Sequence, residues 1–210
     1  MKQKGSLVVI SGFSGVGKGT VIKELMQLHE QYALSVSCTT RAPREGEVDG
    51  KDYFFITRDR FEEMIEQEAF FEYALYCDHY YGTPRPFVEK QLEEGRHVLL
   101  EIEVQGAMTM KAKCPEAILI FIMPPSGQEL INRLCARGTE TKEAIAQRVH
   151  KAVVEAESIE NYEYVVVNDV PSLCAERIHG LVEALQMRTI VNGPFVKEVR
   201  GQVIQSAEDF

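Results

Sequence analysis

The chain has no excess of positive charge. Its 210 residues carry 23 Lys and Arg against 32 Asp and Glu, a net charge of −9 and a pI near 5.2. A general polynucleotide-binding surface needs a basic patch or stripe, so that class of function drops out. No Cys-x-x-Cys pair and no Cys/His spacing of the zinc-binding kind occurs. The five cysteines (Cys38, Cys77, Cys114, Cys135, Cys174) are scattered and odd in number, which suggests free thiols in a reducing compartment. Long apolar runs are missing too: the longest, Ala117 to Met123, falls far short of the ~18 residues a membrane span requires. The opening Met1-Lys-Gln-Lys-Gly-Ser6 runs into an apolar strand without the core of a secretory signal. Repeats and low-complexity stretches are absent. The expectation is one cytoplasmic domain acting on small molecules, not on nucleic acid or a membrane, with monomer or homo-oligomer left open. Its length allows burial of about 70% of the extended surface, enough for a true core.

What is present begins with Gly12-Phe13-Ser14-Gly15-Val16-Gly17-Lys18-Gly19-Thr20. An apolar run, Leu7 to Ser11, precedes it, and Val21-Ile22-Lys23-Glu24-Leu25-Met26 follows. Strand, glycine turn and helix in that order are the setting in which G-x-x-x-x-G-K cradles phosphate. Glycines let successive main-chain N–H groups face one anion, the helix start adds its positive dipole end, and the Lys18 ammonium reaches outer phosphates. This loop predicts binding of a nucleoside triphosphate.

Further along, short apolar runs alternate with longer periodic segments, the pattern of a parallel sheet with crossover helices. Buried strands are expected at Leu7–Ser11, His97–Glu101, Ile118–Met123 and Tyr164–Val167, and helices at Lys18–Leu28, Gln105–Lys111 and Lys142–Ser158. Ser126-x-x-Glu129 reads as a capping box opening a helix through Ala136, and Ser172 as the cap of a last helix reaching Met187. Between the first helix and His97 the texture changes to short aromatic strand-like pieces: Ser35–Thr39, Asp52–Ile56, Phe71–Tyr76 and His79–Tyr81. One short helix, Asp59–Gln67, interrupts them, with Asp59 and Glu62 expected at its cap. This reads as an inserted, mostly antiparallel unit. A second insert-like zone, Arg133 to Arg148, crosses a break at Gly138, and two inserts beside a phosphate site suggest parts that close over it.

In the first insert, Arg41 and Arg44 stand three apart around Pro43 and can fork onto one phosphate, with Tyr53 and Tyr81 adding phenolic donors. Taken singly, each arginine reads equally as a solvated surface charge. Set in an acidic chain and facing tyrosines, the pair points to a gathered anion site.

By these phrases the chain resembles the guanylate kinases, from about Gly5 to about Leu185. The shared motifs are Ser-Gly-x-Ser-Gly-x-Gly-Lys from Ser11 and the long run Ser-x-Ser-x-Thr-Thr-Arg-x-Pro-Arg-x-Gly-Glu-x-x-Gly-x-Asp-Tyr-x-Phe from Ser35. Tyr81-Gly82-Thr83, Leu100-Glu101-Ile102-Glu103-x-Gln-Gly, Arg133-x-x-x-Arg137-Gly-Thr-Glu and Val167-Asn168-Asp169 complete them. The resemblance implies an α/β fold: a P-loop NTPase core with a five-stranded parallel sheet and flanking helices, an inserted mixed-β GMP-binding subdomain and a helical lid. It places the core at 5–34, 90–125 and 160–186, the subdomain at 35–89, the lid at 126–159 and an extension at 187–210. It implies transfer of the γ-phosphate of ATP to GMP, with dGMP as a further acceptor.

By the same resemblance, Arg41, Arg44, Tyr53 and Tyr81 hold the acceptor phosphate, while Ser37, Glu72 and Thr83 read guanine. The chemistry agrees, because guanine's edge offers two adjacent N–H donors to one carboxylate whereas adenine presents an acceptor. Glu47, Glu101 and Glu103 also fall at family site positions, with roles ranging from ribose or base contact to water-mediated metal contact. Residues 12–20 hold the ATP phosphates, and Arg133, Arg137 and Arg148 clamp the triphosphate in the transition state, with Arg44 bridging to the migrating group. Helix-surface pairing with Glu140, Glu143 and Glu155 is the plainer reading of those three arginines. Asn168 and Asp169 are expected near adenine, although such a pair is also an ordinary turn. Gly19 stands where many loops place a hydroxyl on magnesium, and Thr20 brings one a residue later. Mg²⁺ is therefore expected on phosphate oxygens and water, with Thr20, Glu101 and Glu103 reaching it through water. Two alternatives sit beside this reading: a catalytically silent phosphopeptide-binding module, which lacks the loop and lid arginines, and a kinase for another monophosphate, against which Ser37, Glu72 and Thr83 argue.

Overall fold

Apolar runs laid side by side build the centre of the molecule, a computed structural model that describes residues 4–76, 78–136 and 142–208. The first elements are β1 (Leu7–Gly12), α1 (Lys18–Leu28), β2 (Tyr32–Leu34), β3 (Cys38–Thr39), β4 (Phe54–Phe55), α2 (Arg58–Glu66), β5 (Phe70–Tyr76) and β6 (His79–Pro84). There follow α3 (Arg85–Glu93), β7 (His97–Glu101), α4 (Val104–Lys113), β8 (Ile118–Met123), α5 (Gly127–Ala136), α6 (Lys142–Ala156), β9 (Tyr164–Val167), α7 (Pro171–Gln186) and α8 (Gly193–Glu208). Five strands form one all-parallel sheet in the order β2-β7-β1-β8-β9. Val9 lies between Leu100 and Leu119, and every residue of β1 is buried, as expected of a central strand covered on both faces. Each fully buried Val, Leu, Ile or Phe here contributes about 1.5–3 kcal/mol. Strand order turns around at β1, so the crevice beyond its carboxyl end is where such sheets bind ligands.

A second, mixed sheet runs β4-β3-β6-β5, with β3 and β4 parallel and the other pairs antiparallel. Its core is aromatic: Phe61 of α2 stacks on Phe70 at 4.3 Å and on Tyr80 at 5.0 Å. Gly82 makes this possible. A β-carbon there would stand 2.9 Å from the Phe61 ring and 3.0 Å from Phe70, closer than real side chains come. Helix α4 packs on both β1 and β5 and so joins the two sheets.

Several local expectations need correcting. The strand placed at Ser35–Thr39 is confined to β3, Cys38–Thr39, and a separate strand before it, β2, ends at Leu34 in the core sheet. Helix α2 is capped by Thr57, whose hydroxyl accepts from Arg60 N at 3.2 Å, while Glu62 pairs with Arg58. Helix α7 starts with Pro171 in its first turn, a position where the missing N–H costs nothing, and Ser172 does not cap it. Helix α3, absent from the expected elements, opens through Pro84-Arg85-Pro86, prolines that suit a first helical turn. The expected buried strand Tyr164–Val167 is an edge, with Val165 and Val167 exposed; Arg177 donates to Val167 O at 2.9 Å and covers part of it. Ser126 does accept from Glu129 N, but the Glu129 carboxylate turns to Arg133 instead of closing the box. The segment after 187, undecided in sequence, forms α8, which buries no residue.

At the opposite end of the sheet His97 is buried, its Nδ1 accepting from Ser6 N at 3.0 Å and its Nε2 lying 3.7 Å from Glu183. Burial lowers its basicity, with His179 adding to that and Glu183 opposing it. A histidine whose folded value lies below its unfolded value of about 6.5 binds fewer protons folded than unfolded, so it supports the fold above that value. Thermal stability is expected to fall as pH drops below about 6.5, and His97→Gln should flatten that slope in a pH series of melting temperatures.

Candidate active site

The turn after β1 is bent by Gly17, whose φ of 95° is left-handed and whose β-carbon would stand 2.9 Å from the Asn168 amide nitrogen. Only glycine suits both demands. The chain then enters α1, whose first N–H groups lack intrahelical partners and face the crevice, an anion site by construction. Lys18 folds over the loop, its Nζ donating to Gly12 O at 2.8 Å and Phe13 O at 3.4 Å. Beneath it, Asn168 is 2% exposed and donates from Nδ2 to Val16 O at 2.8 Å. Arg133 reaches the same carbonyl at 3.2 Å and Asn168 O at 3.1 Å, while Glu129 holds its Nε at 2.8 Å. Asn168 and Arg133 therefore both brace the back of the loop. Asp169, next after Asn168, is paired with Arg177, which holds its carboxyl at about 2.

Across the crevice the second sheet and the connection from β3 to β4 carry the residues expected to hold the acceptor. Arg41 forks onto Glu47 with bonds of 2.9 and 2.8 Å, and Glu47 also accepts from Arg44 N at 2.7 Å. Those bonds hold the Glu47 carboxyl below its usual range and raise Arg41 further above its own. Glu47 thus fixes the spacing of two guanidinium-bearing residues, with the Arg44 side chain left in solvent. The Arg41 guanidinium sits 5.5 Å over the Tyr53 ring, and Tyr53 meets Tyr81 edge-on at 6.0 Å. Burial raises the Tyr53 phenol, which stays a proton donor.

Glu72 is buried, accepting from Thr83 Oγ1 at 2.7 Å. A break in the β5–β6 register between Phe70 and Tyr73 turns Phe71 and Glu72 inward together. Burial raises the Glu72 carboxyl, with Thr83 opposing. Its Oε2 lies 3.4 Å from where a β-carbon on Gly106 would be, so the carboxylate rests against the first turn of α4.

Between the two groups lies a cavity of about 130 Å³ lined by Ser35, Ser37, Tyr53, Glu101 and Ile102 among others. Glu101 Oε2 is also 3.8 Å from where a Gly19 β-carbon would stand, so this one carboxylate borders both the cavity and the loop. Crowding by protein raises it, with Lys18 opposing and Glu103 reinforcing. Glu103 points outward to Lys151 at 2.8 Å. Arg148 donates to Ser14 Oγ at 2.9 Å, and Arg137 lies outside the described residues. Lys151 escaped the sequence reading, and Glu155, expected only as a surface partner of the arginines, accepts from Ser14 N through its Oε2 at 3.3 Å. Their spacing from Arg148, three and seven, marks one helical face and was the available signal.

Comparison with known proteins meets this geometry from outside. The guanylate kinase family model matches residues 4–185. The chain is 47% identical over 204 residues to the guanylate kinase of Caldanaerobacter subterraneus subsp. tengcongensis, covering 97% of this chain and 99% of that one. It is 52% identical over 185 residues to that of Streptococcus pneumoniae, covering 88% and 89%. The crystal structure of guanylate kinase from Anaplasma phagocytophilum superposes with a TM-score of 0.70 at 35% identity, over 90% of this chain and 89% of that one. The chain belongs to the guanylate kinase family, enzymes that phosphorylate GMP with ATP.

Proposed function

We propose that residues 12–20 hold the phosphates of ATP while Arg41, Arg44, Tyr53 and Tyr81 hold the phosphate of GMP, so that donor and acceptor meet end to end at Glu101. One observation carries this reading: Glu101 borders both the loop at Gly19 and the cavity lined by Ser37 and Tyr53. Phosphoryl transfer asks for in-line positioning and compensation of charge, with little covalent work by the protein. Lys18 and the loop amides supply compensation on the donor side. Arg44, exposed beside the acceptor cluster, and Arg148, already at Ser14, supply it around the migrating group; Arg137 joins them on the family pattern. Arg133 acts through the loop, by bracing Val16 and Asn168. Glu72, Thr83 and Ser37 read guanine, since a carboxylate facing paired N–H donors is satisfied and one facing adenine's lone pair is not. Asn168 and Asp169 border the adenine side.

The divalent ion of this reading is Mg²⁺. Glu101 and the Thr20 hydroxyl, next after Gly19, are hard oxygens at the helix end of the loop that would hold that ion through water, with phosphate oxygens and water as its direct ligands. The chemistry such an ion would supply is neutralisation of charge on the transferring phosphates. Glu103 would reach it through water. Free thiols at Cys38, Cys114, Cys135 and Cys174 support work in a reducing cytoplasm, in purine nucleotide metabolism. Among the described residues no helix is long and apolar enough to cross a membrane.

A coupled assay with ATP, Mg²⁺ and a panel of GMP, dGMP, AMP and UMP tests the reading. Transfer to GMP and dGMP with little to AMP or UMP is expected. No transfer to GMP at saturating concentrations of both substrates would overturn it.

A further inference from the structure

Arg148, Lys151 and Glu155 occupy one face of α6, and that face meets the phosphate loop. Ser14 is gripped twice: its hydroxyl accepts from Arg148 at 2.9 Å, and its main-chain N–H donates to Glu155 Oε2 at 3.3 Å. Lys151 stands 3.7 Å from the other Glu155 oxygen and 2.8 Å from Glu103 beyond β7. Glu155 is itself 5% exposed. A buried carboxylate is costly unless it is hydrogen-bonded or paired, and here one of its oxygens rests on an amide of the loop that binds anions. Anions prefer these N–H groups whether they come from a ligand or from the protein.

We infer that Glu155 is a positioning residue: its carboxylate occupies the Ser14 amide in place of a phosphate oxygen, and the arriving triphosphate displaces it, moving the face of α6 that carries Arg148 and Lys151. Donor binding is thereby coupled to the placement of a lid arginine. The inference rests on the reading of residues 12–20 as the ATP site. Like charges cannot share one amide in a site of low dielectric, so Glu155 opposes the donor until it leaves. Burial raises the Glu155 carboxyl; Lys151, the Ser14 amide and Lys18 lower it and Glu103 raises it further. As pH falls and the carboxyl protonates, the opposition should fade.

Glu155→Gln keeps an oxygen that accepts from Ser14 N and removes the charge. ATP affinity, measured by calorimetry without GMP, is expected to tighten about tenfold, the scale of one charge-assisted hydrogen bond. GMP affinity should stay unchanged, and the difference from wild type should shrink toward acidic pH. A role confined to packing would leave ATP affinity equal or weaker, which overturns the inference. Failure of both proteins to bind ATP would instead overturn the reading of the loop. If the variant does not fold, the wild-type Ser14 amide resonance decides: it should titrate with a carboxylate and stop doing so when ATP saturates the protein. A Ser14 resonance indifferent to pH in the free enzyme overturns the inference as well.

Discussion

Lys18→Ala is expected to lower kcat by about a thousandfold or more while GMP binds as before. Removal of one preorganised donor to developing charge costs about 10²–10³ in rate, and Lys18 is the ammonium proposed to meet the outer phosphates. The variant also releases the two bonds that Lys18 makes to Gly12 O and Phe13 O, so the loop itself loses a tie. Both losses fall on the donor side. Across the crevice the acceptor group is held by Glu47 and by ring contacts that do not involve Lys18. Single-turnover rates and calorimetric titration of GMP separate the two sides. Equal loss of turnover and GMP affinity would mean that the sites are not independent.

Glu72→Gln should raise the KM for GMP by about a hundredfold and compress the preference for GMP over AMP, because polar complementarity to a base edge is worth orders of magnitude. The substituted amide donates where guanine also donates, while its oxygen still accepts from Thr83 Oγ1. The sign on stability runs the other way. Burial raises the Glu72 carboxyl, so the folded protein binds more protons than the unfolded chain between the two values. A charged Glu72 therefore costs stability at neutral pH, and the Gln variant should melt at the same temperature or higher. Lower stability together with unchanged discrimination would assign Glu72 a structural role and remove it from base reading.

How much of this was legible in the chain depends on the range of each interaction. The phosphate loop is local: nine consecutive residues contain both its bends and its cation, and its flanking runs predict the strand and helix that aim it. Arg41, Arg44 and Glu47 are nearly as local, although the bidentate Arg41–Glu47 pair could not be told from two solvated charges. Glu72 with Thr83 is another matter. Its burial depends on a register break in β5, which no period of two or 3.6 reveals. Glu155 was read as a surface partner for arginines because helical spacing gives the face but not what that face meets. Proline is ambiguous at the starts of α3 and α7, since a first helical turn and a loop use it equally well.

Helix α8 follows a bridge in which Asn192 Nδ2 donates to Gln186 O at 2.7 Å, and its sixteen residues leave Phe195, Val196, Val199, Val203 and Ile204 in solvent. None of the free energy that holds the sheet together resides in those side chains. A protease nicking residues 187–192 would thus release an oily peptide and leave behind a kinase that melts where the uncut enzyme melts. The trimmed protein should stay dispersed at concentrations where the whole chain scatters light.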